Sequence, residues 1–179
     1  LTILALCLKA REYDKNIFNK DIIKKMNIIT IYDSNNISNE IIGYNIQEKY
    51  KEINNYIFIT FKDASQYGSL IKCYNYNYDD LYNDINSKNF IGLDYYNMLI
   101  KQAKILSNKY SVVCTNPPYM GRKSMNESLS NFLSINYPNN KSEMYTAFIE
   151  RCNDFTEKNG YQAMITIHTW MFIASYEST

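Results

Sequence analysis

Four consecutive residues, Asn116, Pro117, Pro118 and Tyr119, directly follow an apolar run at residues 110–115. Proline has no N–H and fixes φ, and it pushes the preceding residue out of the helical region. The segment is therefore stiff and extended, and its carbonyls have few local donors. Asn116 adds a side-chain carbonyl, so two acceptors can face one small space beside the flat ring of Tyr119. This arrangement suits an aromatic amine or an amide, which has two N–H bonds to donate.

The same acceptors indicate how such an amine would be activated. Two acceptors bonded to an exocyclic amino group shift electron density onto its nitrogen and turn the lone pair out of the ring plane. Orientation and electrostatics then supply most of the rate. No strong general base is needed, which agrees with the presence of a single histidine, His168. A proline pair alone would only terminate a strand; the asparagine before it and the tyrosine after it favour a site.

Hydrophobic periodicity predicts the elements that position this segment. Helices are predicted over residues 1 to about 18, over residues 79–107, and over "KSEMYTAFIERCNDFTEKNG", where Ser142 caps the helix and Gly160 stops it. "GRKSMNESLSNFLSINYPNN" is predicted to be a loop followed by a short helix. Strands are predicted near residues 28–32, over "YIFITF" at 56–61, over "YSVVCT" at 110–115 and over "YQAMITIHTW".

This alternation of strands and helices predicts an α/β fold with a mostly parallel sheet. The Val-Val-Cys run lacks polar alternation, which is typical of a strand buried on both faces. Ligands of such sheets bind beyond the carboxyl ends of the strands. The predicted strands place Asn116, Asp63 and His168 at such ends.

The amino-acid composition excludes some classes of protein. The chain has 179 residues, 46% hydrophobic residues and a formal net charge of +1. These values exclude a disordered tail and do not indicate a strongly basic nucleic-acid binder, although an average can hide a local basic patch. No apolar run approaches the ~18 residues that a membrane helix needs, so no membrane partner is expected.

The cysteines predict neither a metal site nor a disulfide framework. Cys7, Cys73, Cys114 and Cys152 form no Cys-x-x-Cys pair, and one histidine cannot complete a zinc site. Each lies in or near an apolar stretch, as expected of reduced core thiols in a cytoplasmic protein.

The motif resembles that of a known family. "NPPY" after an apolar strand resembles the catalytic motif of the S-adenosylmethionine-dependent adenine-specific DNA methyltransferases. The longer string "TNPPYMG…KSEMYTAFIERC…NGYQAMITIHTWMF", with "LALCLKAREYD" and "DASQYGSLI" upstream, is similar to the adenine-specific methyltransferases of the BREX phage-defence systems. The similarity extends from Leu4 to Glu177, and the long string is much more specific than its four-residue motif. It implies a Rossmann-like class I methyltransferase sheet of mostly parallel strands with flanking helices.

The resemblance also implies roles for individual residues. Asn116 and the Pro117 carbonyl, stiffened by Pro118, would hold the amino group of an adenine that has flipped out of double-stranded DNA. Tyr119 would stack on that adenine. S-adenosyl-L-methionine would be the cofactor, no metal is expected, and other phage-defence proteins are possible partners. The remaining site residues implied are Asp63 for the cofactor and Arg122, Lys123 and Lys141 for DNA phosphates.

One feature of the family is absent. The family's Asp-Pro-x-x-Gly-x-Gly cofactor turn does not occur, because the five glycines are scattered singly along the chain. We therefore expect residues 1–179 to be part of a catalytic domain that is incomplete at its N-terminal side, and to be inactive alone. Residues 1–107 would form a helix, a strand and a helical insert. Residues 108–179 would form the motif strand and loop, a helix and the following strand.

Two alternatives remain open. The same acceptor geometry would serve a methyltransferase acting on a protein glutamine or on RNA. The missing glycine turn would also fit a non-catalytic nucleic-acid-binding or assembly module that keeps a methyltransferase-like fold.

Overall fold

The computed structural model describes residues 2–19 and 27–172, and the chain divides into two units at residues 1–30 and 31–179. The fold is α/β, with helices flanking a two-stranded parallel sheet. In chain order the helices and strands are α1 (Thr2–Arg11), α2 (Asn39–Asn45), α3 (Lys51–Thr60), α4 (Tyr78–Asn86), α5 (Leu93–Ser107), β1 (Tyr110–Thr115), α6 (Glu127–Asn136), α7 (Met144–Phe155) and β2 (Thr156–Met164). None of these helices is long and apolar enough to span a membrane.

The first unit contains the predicted N-terminal helix in a shorter form. Helix α1 ends at Arg11, and a 3-10 turn follows at Ile17–Asn19. Cys7 is buried, but Leu4 and Leu8 are about half exposed. The prediction of a helix is thus confirmed over its first part.

The strand predicted near residues 28–32 does not form; residues 27–33 have irregular backbone. The main chain of Tyr32 pairs instead with a side chain of α5. The Tyr32 N–H donates to Gln102 Oε1 (2.8 Å), and Gln102 Nε2 donates to the Tyr32 carbonyl (2.9 Å). The fully buried amide of Gln102 thereby takes the place of a neighbouring strand and satisfies both backbone groups.

The "YIFITF" segment is helical, so the strand predicted over residues 56–61 is wrong. It forms the second half of α3, which buries Asn54, Ile57 and Phe61 at spacings of three and four. Packing of this helical stripe overrides the β preference of its isoleucines and aromatic residues. Asp63 consequently follows a helix and not a strand, in the left-handed region at φ 54°.

The helical prediction for residues 79–107 is confirmed by α4 and α5. The Asn77 side chain caps α4 by accepting from Asp80 N–H (3.2 Å). Leu99, Ala103 and Leu106 of α5 are buried, as their spacing predicts. They join a core built from the side chains of α2 to α5.

Strand β1 occupies the predicted residues and pairs with β2 in parallel. Helices α6 and α7 form the crossover between the two strands, which confirms the predicted loop and helix after the prolines. Val112 is 62% exposed, so the prediction that β1 is buried on both faces is wrong.

The predicted ends of helix α7 need correction. Its N-cap is Glu143 and not Ser142, and it ends at Phe155, where β2 starts at once. Gly160 therefore lies within a strand. A Cβ on Gly160 would lie 2.7 Å from Thr156 Cγ2 and 3.0 Å from the Ser111 carbonyl, so close approach of the strands, and not helix termination, requires glycine here.

Candidate functional site

The two parallel strands end side by side and bring two loops together. Thr115 of β1 is the register partner of Met164 of β2, and the Ile165 N–H donates to the Thr115 carbonyl (3.3 Å). The segment that starts at Asn116 therefore lies beside the segment that starts at Ile165. Ligand sites of parallel sheets form at this position.

The first loop presents backbone carbonyls that no neighbour uses. Asn116 is exposed and Pro117 is buried. In the described part of the chain, neither the Pro117 carbonyl nor the Pro118 carbonyl receives a hydrogen bond. The two proline carbonyls are thus available to a ligand with N–H donors, and the exposed Asn116 amide lies beside them.

Tyr119 closes the loop with both its hydroxyl and its ring. The Tyr119 hydroxyl lies 2.7 Å from the Ile165 carbonyl and 3.1 Å from Asn116 Oδ1, within hydrogen-bond distance of both. Its ring packs at a tilt of 56° against the buried ring of Tyr145, with 6.1 Å between centroids. The side chain is 49% exposed, so part of the ring remains accessible for stacking.

The residues after Tyr119 fasten the loop to the start of α7. Met144 N–H donates to the Met120 carbonyl (2.9 Å), and Gly121 forms an antiparallel bridge with Glu143. Met120 also packs against a second core cluster, which includes Leu133 of α6. A helix that spans the crossover therefore sets the position of the loop.

The same contacts gather the basic residues predicted to contact DNA. The Arg122 N–H donates to the Ser142 carbonyl (2.9 Å), which places the turn Arg122–Ser124 beside Lys141. Arg122 and Lys123 are exposed and Lys141 is partly exposed. None of the three forms an ion pair with an acidic residue in residues 2–19 and 27–172. This leaves a small basic surface a few residues from Asn116.

The other predicted positions are not part of this arrangement. The Asp63 carboxylate accepts from Asn35 Nδ2 (2.7 Å), and its backbone N–H donates to Asn35 Oδ1 (3.1 Å). His168 follows β2 in a 3-10 turn, is exposed and contacts the Phe172 ring edge-on. The strand-end position inferred for Asp63 is therefore wrong, whereas His168 does follow a strand end.

The cysteines and acidic residues form no metal site within the described ranges. The cysteines are all free thiols. Cys7 and Cys152 are buried, but Cys114 in β1 is exposed and so is not a core thiol.

The sequence did not predict two residues that contribute to the site. Ile165 contributes a backbone carbonyl, which no side-chain pattern can indicate and which only the register of the two strands places. Tyr145 lies in α7, and its hydroxyl contacts Thr169 Oγ1 (3.3 Å) while its ring supports Tyr119. Its position in "SEMYTAF" gives only a helical spacing.

Comparison with known proteins identifies the family. The family model described as Eco57I restriction-modification methylase matches residues 2–179, which is nearly the whole chain. The chain belongs to the Eco57I restriction-modification methylase family. The resemblance inferred from "NPPY" and its longer context is thereby confirmed.

Two curated relatives carry the same type of name as the family. The chain is 44% identical over 80 residues to the adenine-specific methyltransferase PglX of Lacticaseibacillus casei (strain Zhang), and 39% identical over 79 residues to the adenine-specific methyltransferase BrxX of Escherichia coli O9:H4 (strain HS). These stretches cover 45% and 44% of this Eco57I-family chain. They cover only 7% of the length of each relative.

Proposed function

We propose that this chain forms the target-base side of an adenine-specific DNA methyltransferase with a Rossmann-like class I fold. The parent enzyme transfers a methyl group from S-adenosylmethionine to the exocyclic amino group of adenine. One observation carries the proposal: an asparagine amide and an unpaired proline carbonyl lie beside an accessible tyrosine ring at the end of a parallel strand. Membership of the Eco57I family supports it.

The chain's own residues would bind and orient the base. Asn116 Oδ1 and the Pro117 carbonyl accept the two amino hydrogens of adenine, which increases electron density on the nitrogen and fixes its direction of attack. The exposed part of the Tyr119 ring stacks on the base. Because the amino nitrogen is inaccessible inside a duplex, the adenine must first flip out of the helix.

We assign no site for the methyl donor among the described residues. The sequence has no glycine-rich turn, and the Asp63 carboxylate is already bonded to Asn35 after a helix. The assignment of Asp63 to the cofactor remains a prediction that this geometry does not support. We infer that another part of the polypeptide binds the donor, and we expect residues 1–179 alone to transfer no methyl group.

The basic surface formed by Arg122, Lys123 and Lys141 would contact phosphates beside the flipped base. Phosphate contacts position a protein on DNA without reading sequence. The restriction-modification family and the matches to PglX and BrxX support a role in defence against phage. We propose that other defence proteins are its partners.

The decisive experiment compares Asn116→Ala with Asn131→Ala in the full-length enzyme. Asn131 is an exposed residue of α6 and serves as the matched control. Methyl transfer to double-stranded DNA is measured with a radiolabelled donor. Loss of a group that stabilises developing charge costs about 10²- to 10³-fold in kcat. We expect that loss for Asn116→Ala, with a decrease in DNA affinity of about tenfold at most, and no loss for Asn131→Ala.

The same assay separates the alternatives. Wild-type transfer to RNA or to protein glutamine, but not to DNA, would change the substrate class and keep the role of Asn116. Salt-dependent DNA binding by full-length protein that neither binds the donor nor transfers a methyl group would indicate a non-catalytic module. Asn116→Ala activity within threefold of wild type would contradict the role of the amide.

A further inference from the structure

The Tyr119 hydroxyl has one hydrogen and two acceptors within reach. The Ile165 carbonyl lies 2.7 Å from the hydroxyl oxygen, and Asn116 Oδ1 lies 3.1 Å from it. A phenolic hydroxyl donates a single hydrogen bond and can accept others. Only one of the two oxygens can therefore receive the hydrogen at a time.

The position of this hydrogen decides which end of the Asn116 amide faces outward. If the hydrogen points to Asn116, one of the two lone pairs of Oδ1 is used and the NH2 group faces the ligand side. If it points to the Ile165 carbonyl, the hydroxyl oxygen presents a lone pair to Asn116. The planar amide then gains a hydrogen bond by a half-turn that directs its NH2 group at Tyr119 and its Oδ1 outward.

The second arrangement suits an amino group as ligand better than the first, because it removes the NH2 donor from the ligand side and leaves both lone pairs of Oδ1 to the ligand. An adenine amino group donates hydrogen bonds, so an outward NH2 group of Asn116 would repel it and an outward Oδ1 would bind it. The shorter contact to Ile165 favours this second arrangement. Ile165 is itself held in place, because its N–H donates to the Thr115 carbonyl at the end of β1 (3.3 Å).

We propose that the Tyr119 hydroxyl is a positioning group that orients the Asn116 amide toward the target base. The chain of hydrogen bonds runs from Asn116 NH2 to the Tyr119 oxygen, and from the Tyr119 hydrogen to the Ile165 carbonyl. This inference rests on the proposed function of Asn116. It gives Tyr119 a second task beside stacking, and it makes the end of β2 part of the adenine site.

The ring of Tyr119 has its own support, so the two tasks can be separated by mutation. Tyr145 packs against the ring at a centroid distance of 6.1 Å and is buried. Tyr119→Phe should therefore keep the ring in place and remove only the hydroxyl. Asn116→Asp is the matched second variant, because the two oxygens of a carboxylate are equivalent and a half-turn changes nothing.

The test measures recognition of the amino group without catalysis. Full-length wild type, both single variants and the double variant are bound to duplexes containing the enzyme's methylation site, with a non-reactive analogue of S-adenosylmethionine present. One duplex carries adenine at the target position and the other carries purine, which lacks the amino group. The ratio of the two Kd values reports the bond to the amino group, and the purine Kd reports folding and stacking.

We expect wild type to prefer adenine at least tenfold, because the amino group donates two hydrogen bonds and one well-made bond is worth up to about tenfold. Tyr119→Phe should reduce this preference at least threefold and leave the purine Kd unchanged. In the Asn116→Asp background, Tyr119→Phe should reduce the preference for adenine over purine less than twofold.

Two results would overturn the inference alone: an intact preference in Tyr119→Phe, or an equal loss in both backgrounds, which would indicate a general structural role. Wild type that binds adenine and purine duplexes equally would overturn the proposed function and this inference together.

Discussion

Replacement of the buried Arg151 should cost considerable stability. It is 4% exposed and joins three segments through their carbonyl groups. Its Nε donates to the Ser69 carbonyl (2.9 Å), and Nη2 donates to the carbonyls of Ile71 (2.7 Å) and Leu106 (2.8 Å). The guanidinium carbon also lies 3.6 Å from the centre of the Phe155 ring. One side chain thus ties α7 to the end of α5 and to the loop at residues 69–71.

The cost of Arg151→Met follows from these contacts. Hydrogen bonds from a charged donor contribute roughly 1.5–3 kcal/mol each, so three contribute about 6 kcal/mol. Removing the guanidinium from water costs several kcal/mol, which offsets part of that sum. The same burial lowers the pKa of Arg151 from its ordinary value. Methionine fills much of the space but leaves three carbonyls without their donor, and we expect a net loss of about 3 kcal/mol in the free energy of unfolding.

The assay is urea unfolding of the full-length protein followed by pulse proteolysis, with cleavage inside residues 31–172 as the readout. Arg122→Met is the matched control, since Arg122 is exposed and forms no ion pair with a described residue. Arg151→Lys should also destabilise, by about 2 kcal/mol, because one ammonium group cannot reproduce the forked geometry. A loss below about 1 kcal/mol for Arg151→Met would refute the reasoning, because the carbonyls would then have found other donors at little cost.

Three further predictions concern the strand contact, a buried thiol and the basic surface. Gly160→Ala should destabilise the protein by about 2 kcal/mol, because the added methyl group clashes with neighbouring atoms, including the Ser111 carbonyl. Gly43→Ala is the control: it lies in α2 with open space around it and should stabilise by about 0.5–1 kcal/mol. Equal effects of the two substitutions on the urea midpoint would contradict the clash. Burial raises the pKa of the Cys73 thiol from 9.0 to about 12. The folded state therefore keeps a proton that the unfolded chain releases above pH 9, so the free energy of unfolding should fall between pH 9 and about 12 by up to ~1.4 kcal/mol per pH unit. The urea midpoint of Cys73→Ala should fall less steeply with pH than that of wild type over this range. Equal slopes for the two proteins would contradict the prediction. Arg122→Gln and Lys141→Gln should each lower the slope of log K against log salt for DNA binding by about 1, and an unchanged slope would remove that residue from the interface.

Local chemistry was enough to predict the candidate loop. Two prolines stiffen the backbone and supply no N–H to nearby carbonyls, and an adjacent apolar run of six residues predicts the strand that precedes them. The structure has β1 at the predicted residues, with Asn116 directly after it. The helices at residues 79–107 were also predictable, because their apolar spacing repeats over several turns.

Short apolar segments were not predictable in the same way. "YIFITF" favours a strand over six residues, but the helical spacing of Asn54, Ile57 and Phe61 becomes visible only in a longer window that includes the preceding turn. Residues 28–32 likewise have the composition of a strand, but a strand forms only where a neighbouring strand hydrogen-bonds to its backbone. The backbone of Tyr32 is hydrogen-bonded to the side chain of Gln102 instead.

The sequence by itself determined the acceptor loop, the strand before it, the long helices and the family. Each of these depends on residues that are close together in the chain, or on a string long enough to be specific. Tertiary structure alone decided that the Ile165 carbonyl meets the Tyr119 hydroxyl, 46 residues away, and that Arg151 reaches three carbonyls between 45 and 82 residues away. These contacts depend on strand register and on helix packing. A backbone carbonyl has no residue type, so no sequence pattern marks the one that a distant side chain will bind.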